Sequence, residues 1–261
     1  MTSVEPGGRA VRRTAERLAR AGFVAPEEEA LDLVRAAPDE ETLESWTARR
    51  EHGEPLAWLT GAARFCGRTV LVDPGVYVPR PQSEELGRRA SELLPGRGRA
   101  ADLCTGSGAI AVHLTASAPH AFVVGVDIDR RAAACARRNG VVVVLGDLGS
   151  ALGDRRFDLV TAIAPYVPTP ALAFLPADVR RYEPEGALDG GPDGLDVVRR
   201  VVTCAGRLLR AGGWLVVELG GDQDRLVDTT LRSAGFDRIA TWHDSEGDLR
   251  GLAAQWTRTT S

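Results

Sequence analysis

The 261 residues are 44% apolar and 26% charged, with a net charge of −4, a folded globular balance with room for one large and one small domain. The negative charge argues against a general nucleic-acid binder with a broad basic surface, and no apolar run reaches membrane-spanning length. Cys66, Cys104, Cys135 and Cys204 are scattered without a C-x-x-C pair or a histidine cluster, which argues against a metal site or a disulfide framework and for reduced thiols in the cytoplasm.

Met1 to Arg20 is studded with arginine and glutamate and lacks the apolar core of a signal peptide. From about Gly8 to Arg50 the pattern is helical. Val11, Leu18 and Ala19 share one predicted face, and Pro26-Glu27-Glu28-Glu29 opens a second helix with proline and acids at its start. Leu31, Leu33, Val34 and Ala37 continue that face, and Asp39-Glu40-Glu41 begins a third helix. Residues 1–62 are therefore expected to form a helical domain.

Strand character follows from Ala63 to Val72, then a turn at Asp73-Pro74-Gly75. A hairpin within 63–82 is expected to link the helices to the rest of the chain. Pro79-Arg80-Pro81-Gln82-Ser83-Glu84 leads into another helix, with Ser83 as its expected cap. Residues 83–261 then read as a second domain. Its strands fall near 100–104, 121–127, 141–145, 157–162, 213–219, 236–242 and 252–257. Its helices fall near 108–117, 129–138, 193–209 and 223–234. Such alternation predicts a parallel sheet covered on both faces. The short link from Asp244 to Arg250 predicts that the last two strands pair antiparallel.

The chemistry gathers where these strands end. Asp102-Leu103-Cys104-Thr105-Gly106-Ser107-Gly108-Ala109-Ile110-Ala111 reads as a strand end, a glycine turn and a helix start. Gly106 permits a turn closed to other residues, and Gly108 is expected to let backbone approach a ligand. The G-x-G-x-x-A spacing alone is weak evidence for a dinucleotide site. Asp102, however, stands where a nicotinamide-binding strand is usually apolar. Val123-Val124-Gly125-Val126-Asp127 then ends a second buried strand in an acid placed to meet ribose hydroxyls. Together these acids point to an S-adenosylmethionine (SAM) site. Gly146-Asp147-Leu148 follows the third strand, where the acid suits an adenine amino group and the leucine its ring. After the fourth strand, Ile163-Ala164-Pro165-Tyr166 puts a rigid turn and an aromatic ring beside the expected methyl donor. The proline- and glycine-rich segment from Tyr166 to Leu195 is expected to shape substrate entry.

Gly53-Glu54-Pro55, Pro79-Arg80-Pro81, Asp102 to Gly108, Pro165-Tyr166 and Tyr182-Glu183-Pro184 occur in an order that resembles the HemK/PrmC protein-(glutamine-N5) methyltransferases. The resemblance implies an α/β class I SAM-dependent methyltransferase with a Rossmann-like seven-stranded sheet, its last strand antiparallel. It also implies methylation of the glutamine in a Gly-Gly-Gln motif of a peptide chain release factor. Asp102, Cys104, Thr105, Gly106, Ser107, Gly108, Asp127, Asp147 and Leu148 would then hold SAM. Ala164, Pro165 and Tyr166 would be catalytic, with Ile163, Arg80 and Glu183 joining them at the substrate. The family motif reads Asn-Pro-Pro-Tyr, so Ile163 removes a hydrogen-bonding side chain. Cys104 replaces a usual glycine, and Gln82-Ser83 replace Asp-Thr. The change at Ile163 leaves two other readings: a methyltransferase with a small-metabolite or base-amine acceptor, or a SAM-binding protein without glutamine methylation.

Overall fold

The structure, a computed structural model, describes residues 6–258. Its first elements are the helices α1 (Pro6–Arg20), α2 (Pro26–Ala36), α3 (Glu40–Glu51) and α4 (Leu56–Thr60). Asp39 starts α3 by accepting the Thr42 N–H at 2.7 Å, the expected use of an acid at a helix entrance. Ala15, Leu18, Ala30, Leu33, Leu43 and Leu59 close a core between these helices. The inward stripe of α1 is Val11, Thr14, Ala15 and Leu18, at steps of three and four residues. Ala19 lies one residue past that stripe and is exposed, contrary to the predicted face. Arg50, nearly buried, donates to Glu29 at 2.6 and 3.0 Å and lies 3.9 Å over the Phe23 ring. This tie fastens α3 to the start of α2.

Strands β1 (Ala62–Phe65) and β2 (Arg68–Leu71) form an antiparallel hairpin. Its turn is Cys66-Gly67, both with positive φ, 47° and 72°. Two left-handed residues match the right-handed twist of the flanking strands. Asn139 secures the hairpin to the larger part of the molecule. Its side-chain amide accepts the Leu71 N–H at 2.8 Å and donates to the Leu71 carbonyl at 2.8 Å and the Ser107 carbonyl at 2.9 Å.

The main sheet contains β3 (Arg99–Leu103), β4 (Phe122–Asp127), β5 (Val142–Leu145), β6 (Phe157–Ala162), β7 (Leu209–Glu218), β8 (Phe236–His243) and β9 (Leu249–Trp256). Their order is β5-β4-β3-β6-β7-β9-β8, with β9 antiparallel to both neighbours and the other pairs parallel. Helices α5 (Glu84–Leu93), α6 (Ala109–Ser117), α7 (Arg130–Arg138), α8 (Ala177–Tyr182), α9 (Asp196–Leu208) and α10 (Gln223–Ala234) complete the chain. Alternate strand residues supply two cores. Ala101, Leu103, Val124, Val126, Val160 and Val217 face Val198, Val202 and Ala205 of α9 and Leu231 of α10. Ala100, Val123, Leu159 and Val216 face Leu86 of α5 and Ile110 and Leu114 of α6. Apolar side chains on both faces are what a covered parallel sheet requires. No helix among the described residues is long and apolar enough to cross a membrane.

Ser83 does not serve as the expected cap. Pro81–Ser83 is a 3₁₀ turn running directly into α5, so Ser83 has helical φ and ψ of −76° and −9°, and its side chain accepts no capping hydrogen bond.

The Asn139 amide makes three hydrogen bonds at good distance, each worth about 1 kcal/mol net. Asn139→Ala is expected to lower unfolding free energy by about 2–3 kcal/mol, measured by urea denaturation. A loss below about 0.5 kcal/mol would show that the hairpin needs no such tie.

Candidate active site

The strand order reverses on either side of β3, whose neighbours are β4 and β6. Loops leaving the carboxyl ends of adjacent parallel strands diverge at such a point and open a crevice. Here the crevice is a cavity of about 290 Å³ walled by loops after β3, β4, β5 and β6, by the segment Gly75–Ser83, and by Pro184, Gly186 and Ala187.

The turn after β3 is held by two acids. Asp102 is buried and accepts the hydroxyls of Thr105 at 2.6 Å and Thr161 at 2.7 Å. Asp127 accepts the Gly106 N–H at 2.8 Å and the Asp129 N–H at 2.9 Å. A carboxylate has about four lone-pair sites, so Asp127 keeps acceptor capacity toward the cavity it lines. Burial pushes Asp102 up to about 6, with the two threonines pulling the other way. Burial also raises Asp127, opposed by the N–H groups of Asp129 and Gly106.

Gly106 has φ +56° and Cys104 has φ +55°. The second value explains why glycine is usual at this position: it is left-handed, and Cys104 keeps the turn at a cost in strain. Gly108 differs from expectation. It does not line the cavity, and a Cβ there would lie 2.9 Å from Val141 Cγ2 and 3.1 Å from Ala136 Cβ. Its φ is +85°, so glycine serves the packing of α6 against its neighbours rather than a close approach to ligand.

Asp102, Cys104, Thr105, Gly106, Ser107, Asp127, Asp147 and Leu148 all line the cavity, as do Ile163, Pro165 and Arg80. Asp147 is already paired with Arg200 of α9 at 2.5 Å. Ala164 is buried with its methyl in the sheet core, so it can offer the site only its backbone. Tyr166 and Glu183 stand behind the wall. The Tyr166 hydroxyl donates to Glu218 at 2.9 Å, and Glu183 pairs with Arg80. Burial raises Glu183 against the pull of Arg80.

Sequence reasoning missed Tyr77, Val197 and Arg200 in the wall, and Glu218 behind it. Tyr77 lies under the Arg80 guanidinium, 5.1 Å from its ring centre, and burial pushes its phenol up to about 12. An aromatic two residues before Pro79-Arg80-Pro81 was a usable signal. Val197 and Arg200 had none, because they arrive from a helix distant in sequence.

Asp102 yields a pH test. Its folded-state value, raised from 3.8 to about 6, means that between about pH 4 and 6 the folded protein keeps a proton the unfolded chain releases. Stability from this group therefore falls as pH rises through that window. Asp102→Asn is expected to stabilise the ligand-free protein at pH 7 by up to about 3 kcal/mol and to change little at pH 4. Thermal unfolding at both values checks this; equal shifts would remove the assignment.

Residues 88–168 match the family model "Methyltransferase small domain". The release factor glutamine methyltransferase of Geobacter sulfurreducens is 42% identical over 206 residues, 77% of this chain and 72% of that one. The enzyme of the same name from Moorella thermoacetica is 41% identical over 205 residues, 74% and 72% of the two chains. Among solved structures, M. jannaschii TYW2 in complex with AdoMet matches with a TM-score of 0.53 at 11% identity, covering 76% of this chain and 86% of that one, a likeness of fold. The identity and coverage carry the conclusion that this chain belongs to the release factor glutamine methyltransferase family.

Proposed function

We propose that the protein transfers a methyl group from SAM to the side-chain amide nitrogen of the Gly-Gly-Gln glutamine of a peptide chain release factor. The observation that carries this reading is one cavity bounded on one side by the acid-braced glycine turn and on the other by Ile163 and Pro165. The relatives of that name and the AdoMet-bound neighbour support it. On this reading the protein works in the cytoplasm, beside its release factor.

The cavity residues fit SAM. Asp127 has acceptor capacity left for ribose hydroxyls, and Asp147 and Leu148 stand at the end suited to adenine. Asp102 has both oxygens engaged by threonines; its work is to keep the Thr105–Gly106–Ser107 turn in shape for the methionine part. When bound, SAM supplies an electrophilic sulfonium methyl. The protein's part is positioning: it aligns the amide nitrogen with that methyl, and the nitrogen that takes the methyl gives up one N–H proton to solvent, so no strong general base is required. Arg80, clamped by Glu183 and stacked on Tyr77, frames the acceptor side.

Ile163 lines the cavity with an aliphatic side chain. The acceptor amide is therefore held by the Ala164 backbone, with Tyr166 backing that turn from behind the wall, and with one hydrogen bond fewer than an asparagine would give. We expect slow but specific transfer from labelled SAM to a release factor. Ile163→Asn is expected to raise the rate roughly ten- to hundredfold. Transfer by the variant alone, with none by the unaltered protein, would overturn the substrate assignment. Asp127→Ala is expected to weaken SAM binding roughly tenfold or more by calorimetry, and unchanged affinity would remove Asp127 from the site.

A further inference from the structure

Two polar side chains just past the cavity wall are buried although neither lines it. Glu218, at the end of β7, is 2% exposed, and Gln223, at the start of α10, is 5% exposed. Burying such groups is costly unless they are well bonded, so their partners reveal what they hold. Both hold Tyr166. Glu218 accepts the Tyr166 hydroxyl at 2.9 Å. Gln223 donates from Nε2 to the Tyr166 carbonyl at 2.8 Å and to the Asp193 carbonyl at 3.3 Å, while its Oε1 accepts the Gly220 N–H at 3.1 Å. The tyrosine is thus gripped at its ring tip and at its backbone.

The neighbouring chain is shaped around this grip. A Cβ on Gly194 would lie 2.3 Å from the Tyr166 carbonyl oxygen and 2.5 Å from Gln223 Nε2. Only a glycine there leaves room for the amide to reach the carbonyl. On the ring side, a Cβ on Gly220 would sit 3.6 Å from Tyr166 Cε2, so the turn after β7 already lies close against the ring. Glu218, Gly220 and Gln223 come from a single six-residue turn, and that turn determines where the tyrosine points.

We propose that Glu218 and Gln223 are positioning residues for methyl transfer, fixing Tyr166 behind the wall so that the Ile163–Pro165 turn presents the Ala164 carbonyl to the acceptor amide. The inference rests on the reading of Tyr166 given above. It matters more in this chain than in one with asparagine at position 163, because Ile163 leaves the tyrosine a larger share of the orientation. A misplacement of about 1 Å near a reacting group can cost roughly a hundredfold in rate, and Glu218 holds the tip of the ring that backs this turn.

The test compares Glu218→Leu, Glu218→Gln, Tyr166→Phe and the double variant Glu218→Leu/Tyr166→Phe. Each is assayed for kcat and KM with a release factor, for SAM affinity, and for melting temperature. Glu218→Leu and Tyr166→Phe are each expected to lower kcat roughly tenfold or more, with SAM affinity within twofold of the unaltered protein. Glu218→Gln keeps an acceptor for the hydroxyl and is expected to retain more than half of kcat. The double variant is expected to be no slower than the slower single variant, since both remove the same bond. Gln223→Glu, which loses its donor while keeping its shape, gives a second route should Glu218→Leu not fold, and kcat is expected to fall in it too.

Full activity in Glu218→Leu or Tyr166→Phe overturns the inference, as do losses that multiply in the double variant. A parallel fall in kcat, SAM affinity and melting temperature across the variants also overturns it, because that pattern marks a general structural role. Absence of transfer by the unaltered protein is a distinct result: it overturns the release-factor reading and this inference together.

Discussion

Asp102 is the point on which the rest of the site hangs. Its carboxylate sits between two adjacent strands and takes one hydroxyl from the turn after its own strand, Thr105, and one from the next strand, Thr161. That pair of bonds joins the place where a cofactor turn begins to the strand that leads to Ile163 and Tyr166. The charge is held almost without water, which is why its proton affinity rises. A buried acid of this kind does not favour folding. Its presence is understood from what it connects, and proteins tolerate such local costs chiefly at functional sites.

Around this acid, division of labour follows strand order. The loops after β3, β4 and β5 supply acids and tight turns, whereas the loops after β6 and β7 supply a ring and the groups that steady it. Polar atoms on the first side remain partly open to the cavity. Those on the second side are consumed by one another. The first side is therefore suited to holding a ligand with many hydrogen-bonding groups, and the second to presenting one rigid surface.

Much of this was legible in the sequence because the main sheet obeys simple periodicities. The buried parallel strands are continuous apolar runs, and the acids at their ends stand out against them. Strand β7 begins earlier than the pattern suggests, at Leu209 rather than 213, because Leu209 pairs with Phe157 before Ala211-Gly212-Gly213 interrupts the apolar run. Ser83 had the residue type of a cap without the backbone of one, since a 3₁₀ turn opened by Pro81 runs directly into α5. Gly108 was read as a close approach to ligand, and the atoms that crowd it are those of Val141 and Ala136, which come from elements that periodicity cannot orient. Tyr166 and Glu183 were visible as chemistry, yet their partners Glu218 and Arg80 lie 52 and 103 residues away. Only the folded chain brings such pairs together.

Asn139 gives the molecule a mechanical property as well as a stable joint. One planar amide holds strand β2 on one side and the Ser107 carbonyl of the glycine turn on the other. The two cannot shift apart without breaking hydrogen bonds on the same rigid group. The hairpin is therefore tied to the turn beside the cavity through a single side chain. The link is short: Asn139 is the cap residue between the end of α7 at Arg138 and Gly140.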